Sequence, residues 1–396
     1  MTMAKNLLQK IWHDPSVRTA VFVFALTRAL VFAIFILGTN VSMVETGRTF
    51  GKEPQDVRIS LQGSKIIDRL RQLATRGDGG WYMHIAEWKY EKVPFEPTKS
   101  HNWAFFPLFP ICWRLAAKVT GGFFFTGIVL TNVFFFFALI MLHKTATAFG
   151  ADKPTADRTV FYIAAYPLSY FFSLPLSESL FVLISASAFY AAKRNSWWAA
   201  GILGALASAT RLTGIFLLPA LLVLQWQTNR SLKPDRRTLA LLLIPLGLLA
   251  FMIHLHYRTG NAFAFMDVMA AWGRNPAPPW VPFLDYLRHP LEISFRWDFR
   301  LLNFAAALMG LVCGIVLVKK RQWALATFTL LCVLAPLSSS LLQSLARYMM
   351  GIFPIFLVLG EAGKSPRVDQ SIRTIFLVLL GLMTAFCTVI VTLALS

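Results

Sequence analysis

Apolar residues in this chain fall in repeated runs of roughly 20, the length an α-helix needs to cross a bilayer core of ~30 Å. The runs lie near residues 19–38, 121–142, 159–175, 178–192, 197–211, 213–227, 238–257, 301–318, 323–341, 346–361 and 373–394, predicting about eleven membrane-spanning helices. Between them, Lys and Arg collect in alternate short loops. The clusters are Lys144, Lys153 and Arg158; Lys193 and Arg194; Arg230, Lys233, Arg236 and Arg237; Lys319, Lys320 and Arg321; and Lys364, Arg367 and Arg373. Positive loops stay on the cytoplasmic side, so these loops and the N-terminus are expected there. The first run follows Lys5 and Lys10, exceeds a signal-peptide core and lacks a small-x-small cleavage site, which makes it an uncleaved span.

One segment tests that count. Were residues 105–118 to span, every later loop would change sides and the basic clusters would face outward. The segment is short, opens with Pro107 and Pro110, and carries Arg114 and Lys118, as an interfacial helix does. Residues 39–120 then form one long extracytoplasmic loop with interfacial helices, and residues 258–300 a second. The whole chain, 1–396, reads as a single all-α polytopic membrane domain.

Composition agrees: 56% of residues are hydrophobic, 14% are charged, and the mean hydropathy is +0.58. The formal charge of +19 is spread between the apolar runs with no soluble module to carry it, so membrane lipids and phosphate-bearing lipid ligands, not nucleic acid, are the expected partners. Cys112, Cys313, Cys332 and Cys387 show no CxxC spacing and read as small hydrophobes. His254 and His256 are two apart on a helical stretch and face apart, so no zinc helix is expected. The sequence calls for no cofactor and leaves a divalent metal open.

The chemistry-bearing residues all fall on the extracytoplasmic side by parity. Asp78 sits in Arg76-Gly77-Asp78-Gly79-Gly80-Trp81-Tyr82 within the first long loop. Glu178 lies in a tight turn between two spans, Arg211 at another, Asp267 and Arg274 in the second long loop, and Arg347-Tyr348 in a last turn.

These pieces, in order, resemble the GPI mannosyltransferase II (PIG-V) family of the GT-C integral-membrane glycosyltransferases. They are Arg76-Gly77-Asp78 with Trp81 and Tyr82; Phe105-Phe106-Pro107-Leu108-Phe109-Pro110; Ser177-Glu178-Ser179-Leu180-Phe181; Ala209-Thr210-Arg211-Leu212-Thr213-Gly214; Thr259 to Phe265 with Trp272-Gly273-Arg274; and Arg347-Tyr348 through Phe353-Pro354. The chain departs from the family pattern at Gly77, where an aromatic is usual, at Leu212, where a proline is usual, and near Asn261, where an acidic residue is usual. The resemblance implies a GT-C-type fold, a polyprenyl-phosphate-linked sugar donor, most often mannose, and inverting transfer with the first-loop aspartate as base. A lipid or glycan hydroxyl is then the acceptor. With few soluble extensions and the basic loops inside, the expected location is a bacterial inner membrane with the site facing the periplasm or exterior, or an endoplasmic reticulum membrane with it facing the lumen.

The residues support the same chemistry. Asp78 is a positioned carboxylate with glycine on both sides for close substrate access, and Trp81 and Tyr82 offer flat faces with polar tips. On the residues alone, Asp78 serves equally well in a turn or at the start of a helix through Trp88. Arg211, Arg347 and Tyr348 suit a departing lipid phosphate, and an interfacial anchor is the plain alternative for either arginine. Glu178 suits a helix N-terminus as well as a site. Arg76, Trp81, Tyr82, Glu178, Asp267 and Arg274 complete the substrate-binding candidates, with solvated loop charges the plainer reading of Asp267 and Arg274. Other sugars (glucose, arabinose, an amino sugar) fit the same pattern. A lipid-linked-sugar transporter or flippase is the reading from another class, and it wants related halves that the sequence does not show.

Overall fold

The computed structural model describes residues 12–39, 41–44, 56–59, 63–75, 77–230, 234–290 and 299–393. Arg76 and the basic residues Lys5, Lys10 and Lys233 lie outside them. The apolar runs fold as helices, beginning with α1 (Pro15–Thr39). The first long loop holds an antiparallel strand pair, β1 (Val41–Val44) and β2 (Asp56–Ile59), with Val41 opposite Ile59. Its described α-helices are α2 (Gly63–Thr75), α3 (Asp78–Trp88) and α4 (Leu108–Thr120), with a 3₁₀ turn at Asn102–Ala104. The chain continues through α5 (Phe123–Ala148), α6 (Lys153–Ala165), α7 (Glu178–Lys193), α8 (Trp197–Ser208), α9 (Leu217–Asn229), α10 (Arg236–Leu241) and α11 (Ile244–Thr259). The second long loop includes α12 (Ala264–Asp267) and α13 (Val281–Arg288). Last come α14 (Arg300–Lys319), α15 (Trp323–Leu337), α16 (Leu345–Met350), α17 (Pro354–Ala362) and α18 (Pro366–Leu393).

Five of the described segments are long and apolar enough to cross a bilayer: Pro15–Gly38, Phe123–Ala148, Arg236–Thr259, Arg300–Lys319 and Pro366–Thr388. The other predicted spans are built from shorter helices. The run 159–175 is α6 followed by a 3₁₀ turn at Ser169–Ser173, and the run 213–227 opens with a 3₁₀ turn at Leu212–Phe216. Pro167 and Pro175 flank the first break and cannot donate to a continuing helix. A helix broken inside a membrane protein leaves backbone carbonyls that only protein can satisfy. Arg28, in the middle of α1, does so here. It is buried and donates to the carbonyls of Ser169 (2.8 Å) and Ala164 (3.0 Å) and to the hydroxyls of Ser169 (2.6 Å) and Ser173 (3.0 Å).

The interfacial reading of residues 105–118 corresponds to α4. Its inner face carries Phe109, Trp113 and Ala117, all buried, while Ile111, Leu115 and Val119 are exposed one helical turn apart. Arg114, expected to mark the interface, instead donates to the last carbonyls of α3, Ile85 (2.6 Å) and Ala86 (2.7 Å), and so fastens α4 to α3.

The basic clusters meet at one end of the bundle. Lys144 pairs with Asp14 (3.0 Å), Arg158 donates to the Gly360 carbonyl (2.8 Å), and Glu361 pairs with Lys320 (2.6 Å). Gln227 reaches the Arg321 carbonyl (2.9 Å), Arg237 lies 5.8 Å over the Trp197 ring, and Lys193 lies 4.9 Å over Phe149. Helices α6 and α7 run away from and back to that end, so the turn between them, closing at Glu178, lies at the other. Small residues let α8 approach α10 and α11: a side chain at Gly201 would meet the Ala240 carbonyl at 1.9 Å, one at Gly204 would meet Ile244 at 2.4 Å, and Ser208 donates to the Ile244 carbonyl (2.6 Å).

Candidate active site

The site forms where the helices break. Gly77 has φ +62°, a left-handed conformation that suits glycine, and the chain turns there to start α3 at Asp78. No side chain caps the first turn of α3. The Asp78 carboxylate reaches across the molecule instead, with Oδ2 2.5 Å from Arg347 Nη1.

Arg347 comes from α16. The predicted turn at residues 343–348 is largely this short helix, entered through Ser344 in a left-handed conformation. Buried Asn303 of α14 anchors it by accepting the Ala346 amide proton at 2.8 Å. The Arg347 guanidinium is buried, lies 4.8 Å from the Phe171 ring, and donates through Nε (2.8 Å) and Nη2 (2.7 Å) to Glu178 Oε1.

Glu178, the first residue of α7, is almost fully enclosed, with a side chain 2% exposed. The same Oε1 accepts from Arg211 Nη1 at 2.8 Å, so one buried carboxylate oxygen binds two arginines. Glu178 Oε2 has no hydrogen-bond partner among the described residues. Ser177 does not cap α7 through its side chain; its hydroxyl accepts from Tyr82 (2.9 Å) and from Arg211 (3.3 Å). Burial pushes the Tyr82 phenol up to about 12, with the Arg211 charge opposing it.

Tyr348, next to Arg347, has Arg211 5.6 Å from its ring and one further cation, Arg274, at 5.5 Å. Arg274 is held by donation to the Gln343 carbonyl (2.8 Å). Trp81 stacks on Phe105 (6.0 Å) and meets Trp272 edge-on (6.4 Å), bringing the two long loops together; Phe95 N–H to the Thr259 carbonyl (3.2 Å) joins them again.

The fold therefore gathers Asp78, Tyr82, Glu178, Arg211, Arg347, Tyr348 and Arg274, with Trp81 at the loop contact. Asp267 stands apart: it is exposed and accepts from Asn261 (2.8 Å), a loop brace. Arg76 lies outside the described residues. Sequence reasoning passed over Arg28, Phe171 and Asn303. For Arg28 there was a signal, because a charge in the centre of an apolar run has to be paid for by specific partners. Asp78 is 39% exposed while Glu178 and Arg347 are buried, so one carboxylate stays accessible above a fixed ionic base. Such an arrangement can accept a proton at Asp78 and grip an anion with forked donors from Arg347 and Arg211.

The profile of the family described as Mannosyltransferase (PIG-V) matches residues 17–284. That stretch starts earlier than the expected resemblance and stops before it, so Arg347 and Tyr348 lie beyond the matched residues. No curated protein matches the chain significantly. ArnT from Cupriavidus metallidurans, solved bound to undecaprenyl phosphate, is similar in fold at 12% identity and a TM-score of 0.50, with 88% of this chain and 61% of that one covered. The archaeal oligosaccharyltransferase AglB from Archaeoglobus fulgidus, solved with an inhibitory peptide and a dolichol-phosphate, gives 14% identity and a TM-score of 0.44 over 95% of this chain and 55% of that one. The chain thus spans about three fifths of the length of ArnT.

Proposed function

The chain belongs to the mannosyltransferase (PIG-V) family and is an integral-membrane glycosyltransferase of GT-C fold; from that premise we propose that it moves a hexose, mannose, from a polyprenyl-phosphate donor to a lipid or glycan hydroxyl, with inversion, on the extracytoplasmic side. The observation that carries this reading is the contact of Asp78 with Arg347, an accessible carboxylate beside a buried phosphate-gripping group.

In this reaction the acceptor oxygen attacks the anomeric carbon while the bond from that carbon to the phosphate oxygen breaks. The acceptor proton passes to Asp78. The leaving phosphate gains one negative charge, and Arg347 and Arg211 hold it, with Arg274 adding a third cation across the Tyr348 ring. Glu178 keeps the two inner arginines in place, as a buried carboxylate bound to both. The long loops at 39–120 and 258–300 roof the site within a single domain covering residues 1–396. Parity of the basic loops supports an extracytoplasmic site, in a bacterial inner membrane facing the periplasm or in an endoplasmic reticulum membrane facing the lumen.

Proteoliposomes containing the purified chain, given a panel of polyprenyl-phosphate sugars and membrane extract as acceptor, test the proposal by mass spectrometry of the product. Transfer of mannose, lost in Asp78→Asn at unchanged protein level, is expected. Transfer undiminished in Asp78→Asn removes the assigned base, and movement of donor across the bilayer without product would make the chain a transporter.

A further inference from the structure

At the basic end of the bundle, away from the site just described, α1, α6 and α18 border an open cavity of about 420 Å³. Its polar wall is cationic. Arg18, Lys153 and Arg373 line it, against one carboxylate, Asp157. That carboxylate is already engaged, by Lys153 Nζ (2.6 Å) on one oxygen and by Thr19 (2.7 Å) and His143 (3.1 Å) on the other. Arg373 uses Nε for Asp369 (2.7 Å) and lies 4.5 Å over the Phe161 ring. The Arg18 guanidinium has no side-chain partner among the described residues.

Below this cationic rim the wall turns apolar. Phe22, Val23 and Phe161 line the cavity, and Phe22 is 68% exposed. Arg18, Phe22 and Leu26 follow at four-residue spacing on one face of α1, and Leu26 is 48% exposed. A cation at the helix end followed by an outward apolar stripe matches an anionic headgroup with its acyl chain along the helix. The volume suits a phosphate and glycerol backbone.

We propose that this cavity is a binding site for an anionic phospholipid from the leaflet at the basic end, with Arg18 and Arg373 on the phosphate and Phe22 against the first acyl carbons. It is separate from the donor site: α6 alone, running from Lys153 toward the Glu178 turn, puts roughly 20 Å of helix between them.

The full chain in detergent, titrated with short-chain phosphatidylglycerol, phosphatidylcholine and inorganic phosphate and read by native mass spectrometry, tests this. Phosphatidylglycerol should bind in a one-to-one adduct, phosphatidylcholine much more weakly, and phosphate alone not detectably. Arg18→Gln with Arg373→Gln should weaken phosphatidylglycerol on the order of tenfold, and Arg18→Gln alone, at an exposed residue whose side chain has no hydrogen-bond or ion-pair partner among the described residues, should fold as the parent does. Arg194→Gln, a basic residue of the same end outside the cavity, should leave binding unchanged. Equal weakening in Arg194→Gln would show only diffuse attraction and overturn the site. So would equal binding of both lipids, or saturation by phosphate alone.

Discussion

Asp78 and Arg347 are 269 residues apart in sequence, yet their side chains meet at 2.5 Å, and the same guanidinium also holds Glu178 Oε1. While that contact stands, Arg347 occupies the Asp78 oxygen that the proposed reaction needs for the acceptor's proton. On the proposed reading, a donor phosphate would offer Arg347 a competing charge-assisted acceptor, and donor binding would release Asp78.

That competition gives opposite signs for two substitutions. Asp78→Asn leaves Arg347 with one fewer anionic partner, so a polyprenyl phosphate should bind at least as tightly while turnover falls about 10²–10⁴-fold. Arg347→Lys keeps a charge but not a fork and should weaken that binding. Calorimetric titration of both variants with a short-chain polyprenyl phosphate, beside turnover, checks the pair. Weaker binding in Asp78→Asn would contradict the competition.

Glu178 carries a structural load that Asp78 does not. Removing it leaves the buried Arg347 and partly buried Arg211 guanidiniums without their shared anion, and breaking such a pair typically costs about 3–5 kcal/mol. Glu178→Ala should therefore lower the thermal midpoint of the purified chain markedly, and Glu178→Gln less, since an amide oxygen still accepts. Asp78→Asn, whose carboxylate is more open to solvent, should leave the midpoint nearly unchanged. A Glu178→Ala midpoint equal to the parent would show that the arginines find other partners.

Tyr82 supplies a pH signature. Its phenol is raised from 10.0 to about 12, chiefly by burial. Between those values the unfolded chain releases the proton while the folded chain keeps it, so stability is full below pH 10 and declines as pH rises toward 12. Tyr82→Phe removes this contribution together with the bond to Ser177, worth about 1 kcal/mol. The variant should be slightly less stable at neutral pH and lose less between pH 10 and 12, as thermal scans across that range would show. A parallel pH dependence would mean that Tyr82 ionises freely in the fold.

The membrane class, the family and each arginine and carboxylate of the site were legible one at a time, because apolar length and local motifs are properties of neighbouring residues. Their union was not. Nothing in the sequence near Glu178 announces that Arg211 and Arg347 share its one oxygen. The predicted spans also ran too smoothly through Tyr166 to Pro175 and Thr213 to Phe216, where hydropathy stays high although the helices break. A buried apolar 3₁₀ turn has the composition of a span, and only its far-off partners, such as Arg28, distinguish it. Asp267 stayed open for the opposite reason: a loop carboxylate near motif residues looks the same whether it faces a site or braces Asn261.

The placement of Asp78 depends on two glycines that follow it. A side chain at Gly79 would lie 2.0 Å from the Ala74 carbonyl oxygen, and one at Gly80 would lie 2.3 Å from that of Thr75. Both contacts are with backbone at the end of α2, which has no rotamer to give, so Gly79→Ala must drive α3 away from α2. Asp78 begins α3, and a shift of about 1 Å in a reacting group can cost on the order of 10²-fold in rate. Gly79→Ala should therefore lose turnover by about that factor, and its midpoint should fall less than that of Glu178→Ala because the ionic cluster below is untouched. Gly122→Ala is the matched control: its added carbon meets nothing within 4 Å, its φ of −154° suits any residue, and its turnover should equal the parent's. Normal turnover in Gly79→Ala would mean that the α2–α3 contact does not set the position of Asp78.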